Sequence, residues 1–491
     1  MDSNCQTTHR MGLVALIIMT ASNMMGSGVF MLPSSLARIG SISIWGWALT
    51  FCGVLILALI FAKMSEISPC KGGIITHIHH AFGPYIGLQS TLFYWLSTWI
   101  GNCALLLTGV GYLSYFFPLL HNPVYGAIAC IVLLWLFVLL GLRGARFIGY
   151  SQFFTGGCML LVVLSVGVFG WSSFDSTRYF AAYNVTSGNN LHAIMGAAAI
   201  SAWGFLGIES ASVSSGQIVN PKRNIPLATF GGLTIAGLCY VISSNVIMGI
   251  LPHQQLLLSS SPFADTARLI WGPLGGKIIS ALAVIACLGA MPGWQILQTE
   301  VPRAAAESGL FPRFFAEQNR VGVAYKGLIC TAILMTVVLT LTISPNLQQQ
   351  FKTIILLAVS ACLLPYAFAV IALPVMMIAR KTRRDRRFVF YIVFSVTGLC
   401  FVMMALLSAG AQPLFWGIFL QLLTIPLYLC YLLRQQPSSA PAHLPISEPL
   451  SIAEPLPTQK DSPQPASVVA ASCQQPRPAG SLAAIKESNI L

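Results

Sequence analysis

Asn23-Met24-Met25-Gly26-Ser27-Gly28-Val29-Phe30 and Trp203-Gly204-Phe205-Leu206-Gly207-Ile208-Glu209-Ser210 are the two stretches on which the reading of this chain turns. Each sits in the middle of a long apolar run and carries two closely spaced glycines. Glycine inside a helix costs about 1 kcal/mol relative to alanine. Backbone that leaves the helix at membrane depth is tolerated only where protein buries it or where it lines a cavity.

The surrounding composition makes membrane depth the right frame. The chain has 491 residues, 56% hydrophobic and 8% charged, against roughly 25% charged in soluble domains. A bilayer core of about 30 Å needs roughly 20 mostly apolar residues as helix. Twelve runs qualify, over residues 11–37, 44–64, 86–116, 124–142, 150–171 and 193–215, then 227–251, 278–297, 327–343, 354–378, 388–407 and 414–433. The expected fold is an all-α integral membrane protein with twelve transmembrane helices. The first run is too long for a signal peptide and belongs to the mature chain.

The net charge of +13 is explained by where it lies. With the N-terminus inside, 21 of the 26 Lys and Arg fall on the inner side and five on the outer side. That bias predicts both termini in the cytoplasm. The basic stretch at 380–387 reads as a topology anchor rather than a nucleic-acid site. Three parts are expected: a short cytoplasmic N-terminus (1–10), a twelve-helix domain (11–434) and a tail (435–491). The tail holds ten of the 28 prolines and too little apolar surface to offset its ordering entropy, so disorder is expected there.

The two Gly-broken runs are the first and the sixth, five apart. A matched pair of interrupted spans is the best sequence pointer to a transporter binding site built from inverted repeats, here a 5+5 arrangement. An unwound segment frees N–H groups for an anion and carbonyls for a cation; an amino acid zwitterion carries one of each. Close helix packing through small residues is the competing reading of either motif alone. Glu209 favours a site. It is the one acid near the centre of an apolar run, where a charge costs roughly 2.5–3.5 kcal/mol. A water-filled cavity, a cationic ligand or protonation must offset that cost.

Other residues are placed by type. Trp203 sits in the break, and Trp294 lies beside Pro292 and Gly293 in the eighth run. Indole faces attract cations, worth ~2 kcal/mol when desolvated. Asn102, on one helix face with Leu105, is evenly balanced between helix–helix bonding and ligand contact. Thr76-His77-Ile78-His79-His80 follows the second run and reads as an interfacial loop rather than a metal tract. Glu300 reads as interfacial. The 13 cysteines show no CxxC pair, so neither zinc nor a disulfide framework is indicated. No phosphate-binding loop and no nucleophile elbow is present, which argues against an ATP-driven pump and against an enzyme. No metal and no cofactor is expected.

At these residues the chain resembles the amino acid–polyamine–organocation superfamily, and within it the basic amino acid/polyamine antiporters, most closely the bacterial arginine/agmatine exchangers. The similarity is carried by Gly26-Ser27-Gly28-Val29-Phe30 with Leu32-Pro33, by Tyr94-Trp95 through Trp99-Ile100-Gly101-Asn102, and by Gly109-Val110-Gly111-Tyr112. It continues in Gly207-Ile208-Glu209-Ser210-Ala211-Ser212-Val213, Asn220-Pro221-Lys222-Arg223-Asn224-Ile225-Pro226 and Ala304-Ala305-Ala306-Glu307-Ser308-Gly309-Leu310-Phe311-Pro312. It spans about residues 10–434.

The resemblance implies a five-plus-five fold with two extra helices, a homodimer, the bacterial inner membrane, and obligate exchange of external arginine for internal agmatine. It further implies functional pairing with a cytosolic arginine decarboxylase. Carried over, Ser27 and Gly28 give amides to the α-carboxylate, and carbonyls of Met24, Trp203 and Leu206 receive the α-ammonium. The guanidinium lies against Trp203 near Asn102, with Leu105 and Leu206 along the stem. Trp294 is a floor or gate, Tyr94 and Tyr366 are further gates, and Glu209 couples occupancy to helix movement. Some positions depart. Ala358 stands where those exchangers carry a serine near the guanidinium. Leu105 replaces a methionine, Met24 an isoleucine, and Ile75 a tyrosine linked to acid sensing. The guanidinium contacts are therefore thinner, and activity is expected to persist toward neutral pH. Lysine/cadaverine or ornithine/putrescine exchange is the nearest alternative. A transporter-like sensor without flux is the alternative from another class.

Overall fold

A computed structural model describes residues 12–68, 73–143, 148–209, 218–379 and 386–435. The N-terminal ten residues, the tail after Gln435, most of the basic stretch at 380–387 and residues 210–215 of the sixth apolar run lie outside them.

Among the described residues the apolar runs fall on helices. In chain order these are α1 (Leu13–Met25), α2 (Gly28–Ala37), α3 (Ser43–Ile67), α4 (Ile74–Leu113), α5 (Pro123–Gly141) and α6 (Ile148–Phe169). There follow the short α7 (Ser176–Ala181), α8 (Asn190–Ser201), α9 (Pro221–Ile250) and the short α10 (His253–Leu258). The series closes with α11 (Pro262–Glu307), α12 (Tyr325–Leu341), α13 (Leu347–Ala379), α14 (Arg386–Ser408) and α15 (Ala411–Gln435). Among the described residues there is no strand, and nine segments, Leu13–Ala37 counted as one, are long and apolar enough to cross a membrane. Where the chain turns, ordinary start signals operate. Pro123 opens α5 while Asn122 accepts the Val124 amide at 3.0 Å, and the Asp175 carboxylate accepts the Thr177 amide at 2.9 Å at the head of α7.

α4 is the central column, packed between α13 and α11, while α1 lies along α9 and α3 against α8. The third apolar run begins earlier than its hydropathy suggests. Thr76–His80, expected in an interfacial or loop-packing role, lies in a helical arm (74–82) that joins the long part of α4 across Gly83. Gly83 takes φ 82° and ψ −176°, and Pro84 restarts the helix. The same device recurs in α11, where Gly272 takes φ 75° and ψ −172° before Pro273. Only glycine is at ease in that region, and proline with its fixed φ suits a first helical position. The two bends lie just before the third and eighth runs, in the helices that carry them, five runs apart as the two Gly-rich breaks are.

Candidate functional site

The first break separates α1 from α2. α1 ends at Met25, Gly26 turns the chain at φ 29°, and Ser27 leads into α2 without capping it through its side chain. Ser27 Oγ is buried and finds no hydrogen-bond partner among the described residues. The first amides of α2 have no acceptor inside their own helix and carry the positive end of its dipole. The second break follows α8. Ala202–Phe205 forms one tight turn, Leu206 is extended at φ −64° and ψ 139°, and Gly207 takes φ 98°.

The breaks touch one another. A Cβ on Gly28 would stand 3.2 Å from the Gly204 Cα, and one on Gly207 would stand 3.3 Å from the Asn23 carbonyl oxygen and 3.1 Å from the Trp294 ring. Both approaches are tighter than a side chain ordinarily makes, and the positive φ at Gly207 favours glycine there as well. Tyr240 of α9, fully buried, locks the pair. Its hydroxyl lies 2.8 Å from the Met24 carbonyl of the first break and 2.6 Å from the Gly204 carbonyl of the second. Its ring stacks on Trp47 at 4.9 Å.

Between the breaks and α4 lies a small cavity of about 30 Å³. Met24, Ser27, Gly28, Leu105, Trp203, Leu206, Trp294, Tyr94 and Glu209 all line it, as the sequence expects. Asn23, Gly26, Ser97, Thr98, Gly101, Gly207 and Cys362 complete the wall. Glu209 is its one acid, and no Lys, Arg or His is among the described residues around it. The Trp203 indole N–H is buried without a partner among the described residues, and its ring lies 3.0 Å from where a Cβ on Gly101 would be. Glu209, buried, accepts the Tyr94 hydroxyl at 2.9 Å on Oε1 and the Tyr366 hydroxyl on Oε2. α4, α13 and the second break are thereby tied at one carboxylate.

Three expectations meet a different geometry. Tyr366 does not line the cavity and reaches it only through Glu209. Asn102 is fully buried but also outside the lining; its amide donates to Gln298 Oε1 on α11 at 2.7 Å. The Met24 carbonyl, assigned to the α-ammonium, already holds the Tyr240 hydroxyl, and the Trp203 carbonyl accepts the Leu206 amide at 3.3 Å. The Asn23 carbonyl lies at the Gly207 turn, 3.3 Å from where a Cβ on Gly207 would stand.

A second, larger cavity of about 390 Å³ also borders Tyr94 and is lined by Ile75, His79, His80, Val301 and Ser308. Tyr94 borders both spaces. His79 and His80 therefore face a vestibule. His77 instead turns into the protein, with Nε2 2.7 Å from the Ser68 carbonyl. Among the described residues, no three His, Cys, Asp or Glu side chains are grouped to hold a metal.

A sequence model of the amino acid permease family matches residues 11–432. The chain belongs to that family. This permease is 34% identical to the cadaverine/lysine antiporter of Escherichia coli over 444 residues, 89% of its own length and 98% of the relative's. It is 33% identical over 410 residues to the putrescine transporter PotE of Haemophilus influenzae, covering 84% and 94% of the two chains. The Escherichia coli PotE is 32% identical over 422 residues, covering 86% and 96%. The permease is thus a multi-pass membrane protein of the basic amino acid/polyamine antiporter group, whose named relatives are transporters and not enzymes.

Proposed function

We propose that the permease is an obligate exchanger, carrying a basic amino acid inward and its decarboxylated amine outward by alternating access. The observation that carries this is the pairing of ends in the cavity. The amides of α2 suit a carboxylate. The Trp203 face and the lone acid Glu209, with no basic side chain beside them, suit a cation. Trp294 and the Tyr94–Glu209–Tyr366 cluster are the movable partitions, since Tyr94 alone borders both cavities.

The twelve-span, five-plus-five architecture is part of this reading. It is supported by two pairs of matched irregularities, the Gly-rich breaks and the Gly83-Pro84 and Gly272-Pro273 bends, each pair five runs apart. Both termini face the cytoplasm of a bacterial inner membrane, and the working form is a homodimer. Exchange of arginine (+1) for agmatine (+2) moves one positive charge outward per cycle, and a cytosolic arginine decarboxylase closes the loop by consuming internal protons. Lysine/cadaverine and ornithine/putrescine meet the same charge arithmetic. The names of the relatives favour them, and so does the cavity: Asn102 is turned to Gln298 and Ala358 is fully buried with no hydroxyl to offer.

The test is counterflow. Purified protein in liposomes loaded with agmatine, cadaverine or putrescine is expected to take up labelled basic amino acid from outside only when the vesicles are loaded. Binding without uptake makes the protein a sensor and refutes the exchanger; uptake into empty vesicles refutes obligate exchange.

A further inference from the structure

Resting on the exchanger reading for its orientation and its readout, we infer that a pocket behind the Trp294 segment of α11 seats an inner-leaflet phospholipid whose headgroup ends in a primary ammonium. The pocket holds about 120 Å³. Pro292, Gln295, Ile296 and Thr299, spaced three and four apart, turn one face of α11 to it. Trp294 lies on the other face and lines the substrate cavity. The opposite wall is the loop before α12, and it is firmly built. Asn319 Oδ1 accepts the Val321 and Val323 amides, each at 3.0 Å, and Asn319 Nδ2 donates to the Leu142 carbonyl at the end of α5 at 2.9 Å.

The polar groups define the ligand. Gln295 is 4% exposed, and its Nε2 finds no acceptor among the described residues. A buried donor left unpaired is penalised, so the depth of the pocket asks for an oxygen acceptor. Thr299 Oγ1 spends its one proton on the Gln295 carbonyl at 2.7 Å and offers lone pairs. Glu300, partly exposed at the mouth, takes both bonds from Arg303 on Oε2 and leaves Oε1 for another donor. Arg303 also holds Glu307 at 2.7 Å. One guanidinium thus sits between two carboxylates, and one negative charge is left over. The mouth suits a cation with N–H to give, and the depth suits a carbonyl. A phospholipid with an ethanolamine headgroup brings its ammonium to the first and an ester carbonyl to the second.

The level and the surroundings favour a lipid over a soluble amine. The eighth apolar run ends at residue 297, which puts Gln295 at the edge of the hydrocarbon and Glu300 among the headgroups. Val321 lines the pocket and is exposed, as are Leu139 and Leu140 beside the lining Gly141. On a chain that spans a bilayer, such apolar surface faces lipid. The occupant bears on transport because it packs against the segment that carries Trp294. Pro292 removes one of that segment's own backbone hydrogen bonds, so its position depends on what lies behind it. The lipid therefore acts on turnover rather than on substrate affinity.

The experiment reconstitutes the full chain in vesicles of phosphatidylethanolamine with phosphatidylglycerol, and in parallel of phosphatidylcholine with phosphatidylglycerol, all loaded with cadaverine. Choline keeps the charge but has no N–H. Lysine exchange is expected to turn over about tenfold faster with the ethanolamine lipid, the worth of one charge-assisted hydrogen bond, with KM unchanged. Glu300→Gln and Gln295→Met are expected to bring that ratio close to one. A general bilayer effect moves wild type and variants alike, and that result overturns the proposal. Native mass spectrometry supplies a readout without transport: wild type is expected to retain the ethanolamine lipid over the choline lipid, and both variants to lose the preference. Equal retention of the two lipids by wild type, or a preference kept by both variants, overturns it. Activation by free ethanolamine without any lipid preference assigns the pocket to a soluble amine and overturns the lipid. Wild type that retains the lipid selectively but exchanges no basic amino acid sinks the exchanger reading alone, whereas exchange without lipid selectivity sinks this inference alone.

Discussion

Removing the Tyr240 hydroxyl probes how the two breaks are held together. In Tyr240→Phe the ring keeps its stacking on Trp47 and its edge contact with Phe205 at 5.4 Å. What is lost is the one donor near the carbonyls of Met24 and Gly204, at 2.8 and 2.6 Å. Tyr240 is fully buried, so water does not readily replace the hydroxyl. Leaving a buried polar group unpaired costs about 1–3 kcal/mol. Because the two carbonyls belong to the two halves of the site, that cost falls on the conformation the ligand needs. At 1.4 kcal/mol per decade the upper bound on the loss is a Kd about 5- to 140-fold weaker. Tyr240 does not line the cavity, so the effect travels through geometry alone. The assay is equilibrium binding of labelled lysine or arginine to purified protein, with size-exclusion elution and circular dichroism confirming the fold. A Kd within about twofold of wild type in a folded protein refutes the idea that this hydroxyl holds the breaks in register.

Gly207→Ala is expected to abolish transport, because φ 98° excludes a side chain and the added carbon meets Trp294 at 3.1 Å; normal uptake by a folded variant contradicts it. Glu209→Gln and Tyr366→Phe are expected to lower turnover by about tenfold or more while changing Kd little, since they untie the cluster that closes on Tyr94; an equal loss in Kd assigns these residues to binding. Trp203→Leu is expected to weaken amino acid and amine together, whereas Gly28→Ala, which presses on the Gly204 backbone at 3.2 Å, weakens the amino acid more, because only it carries the carboxylate; competition assays with both ligands decide. With Ile75 lining the vestibule, exchange is expected to persist near neutral pH, and exchange confined to acid contradicts that.

The breaks were legible because glycine and an acid have no ordinary reason to sit mid-bilayer. Nine of the eleven residues named from sequence line the cavity; the breaks and Glu209 were found by residue type, whereas Leu105 and Tyr94 came only through the family resemblance. Asn102 and Tyr366 do not, and no feature of residue type distinguishes an amide facing a ligand from one facing Gln298; the difference is a rotation of α4 against α11. Tyr240 left no signal either, since a single tyrosine in an apolar run looks like any packing residue. Ser97 and Thr98 were readable in principle from the spacing of Tyr94, Gly101 and Leu105. The arm at 74–82 escaped because its histidines depress hydropathy while its backbone remains helical.

The most direct measurement is an electron cryomicroscopy map of the protein in lipid nanodiscs with a bound basic amino acid. Ligand density is expected between the two breaks, its carboxylate at the Ser27 and Gly28 amides and its stem beneath Trp203. Two uninterrupted helices with no density between them, or density bound elsewhere, contradict a substrate site built from paired helix breaks.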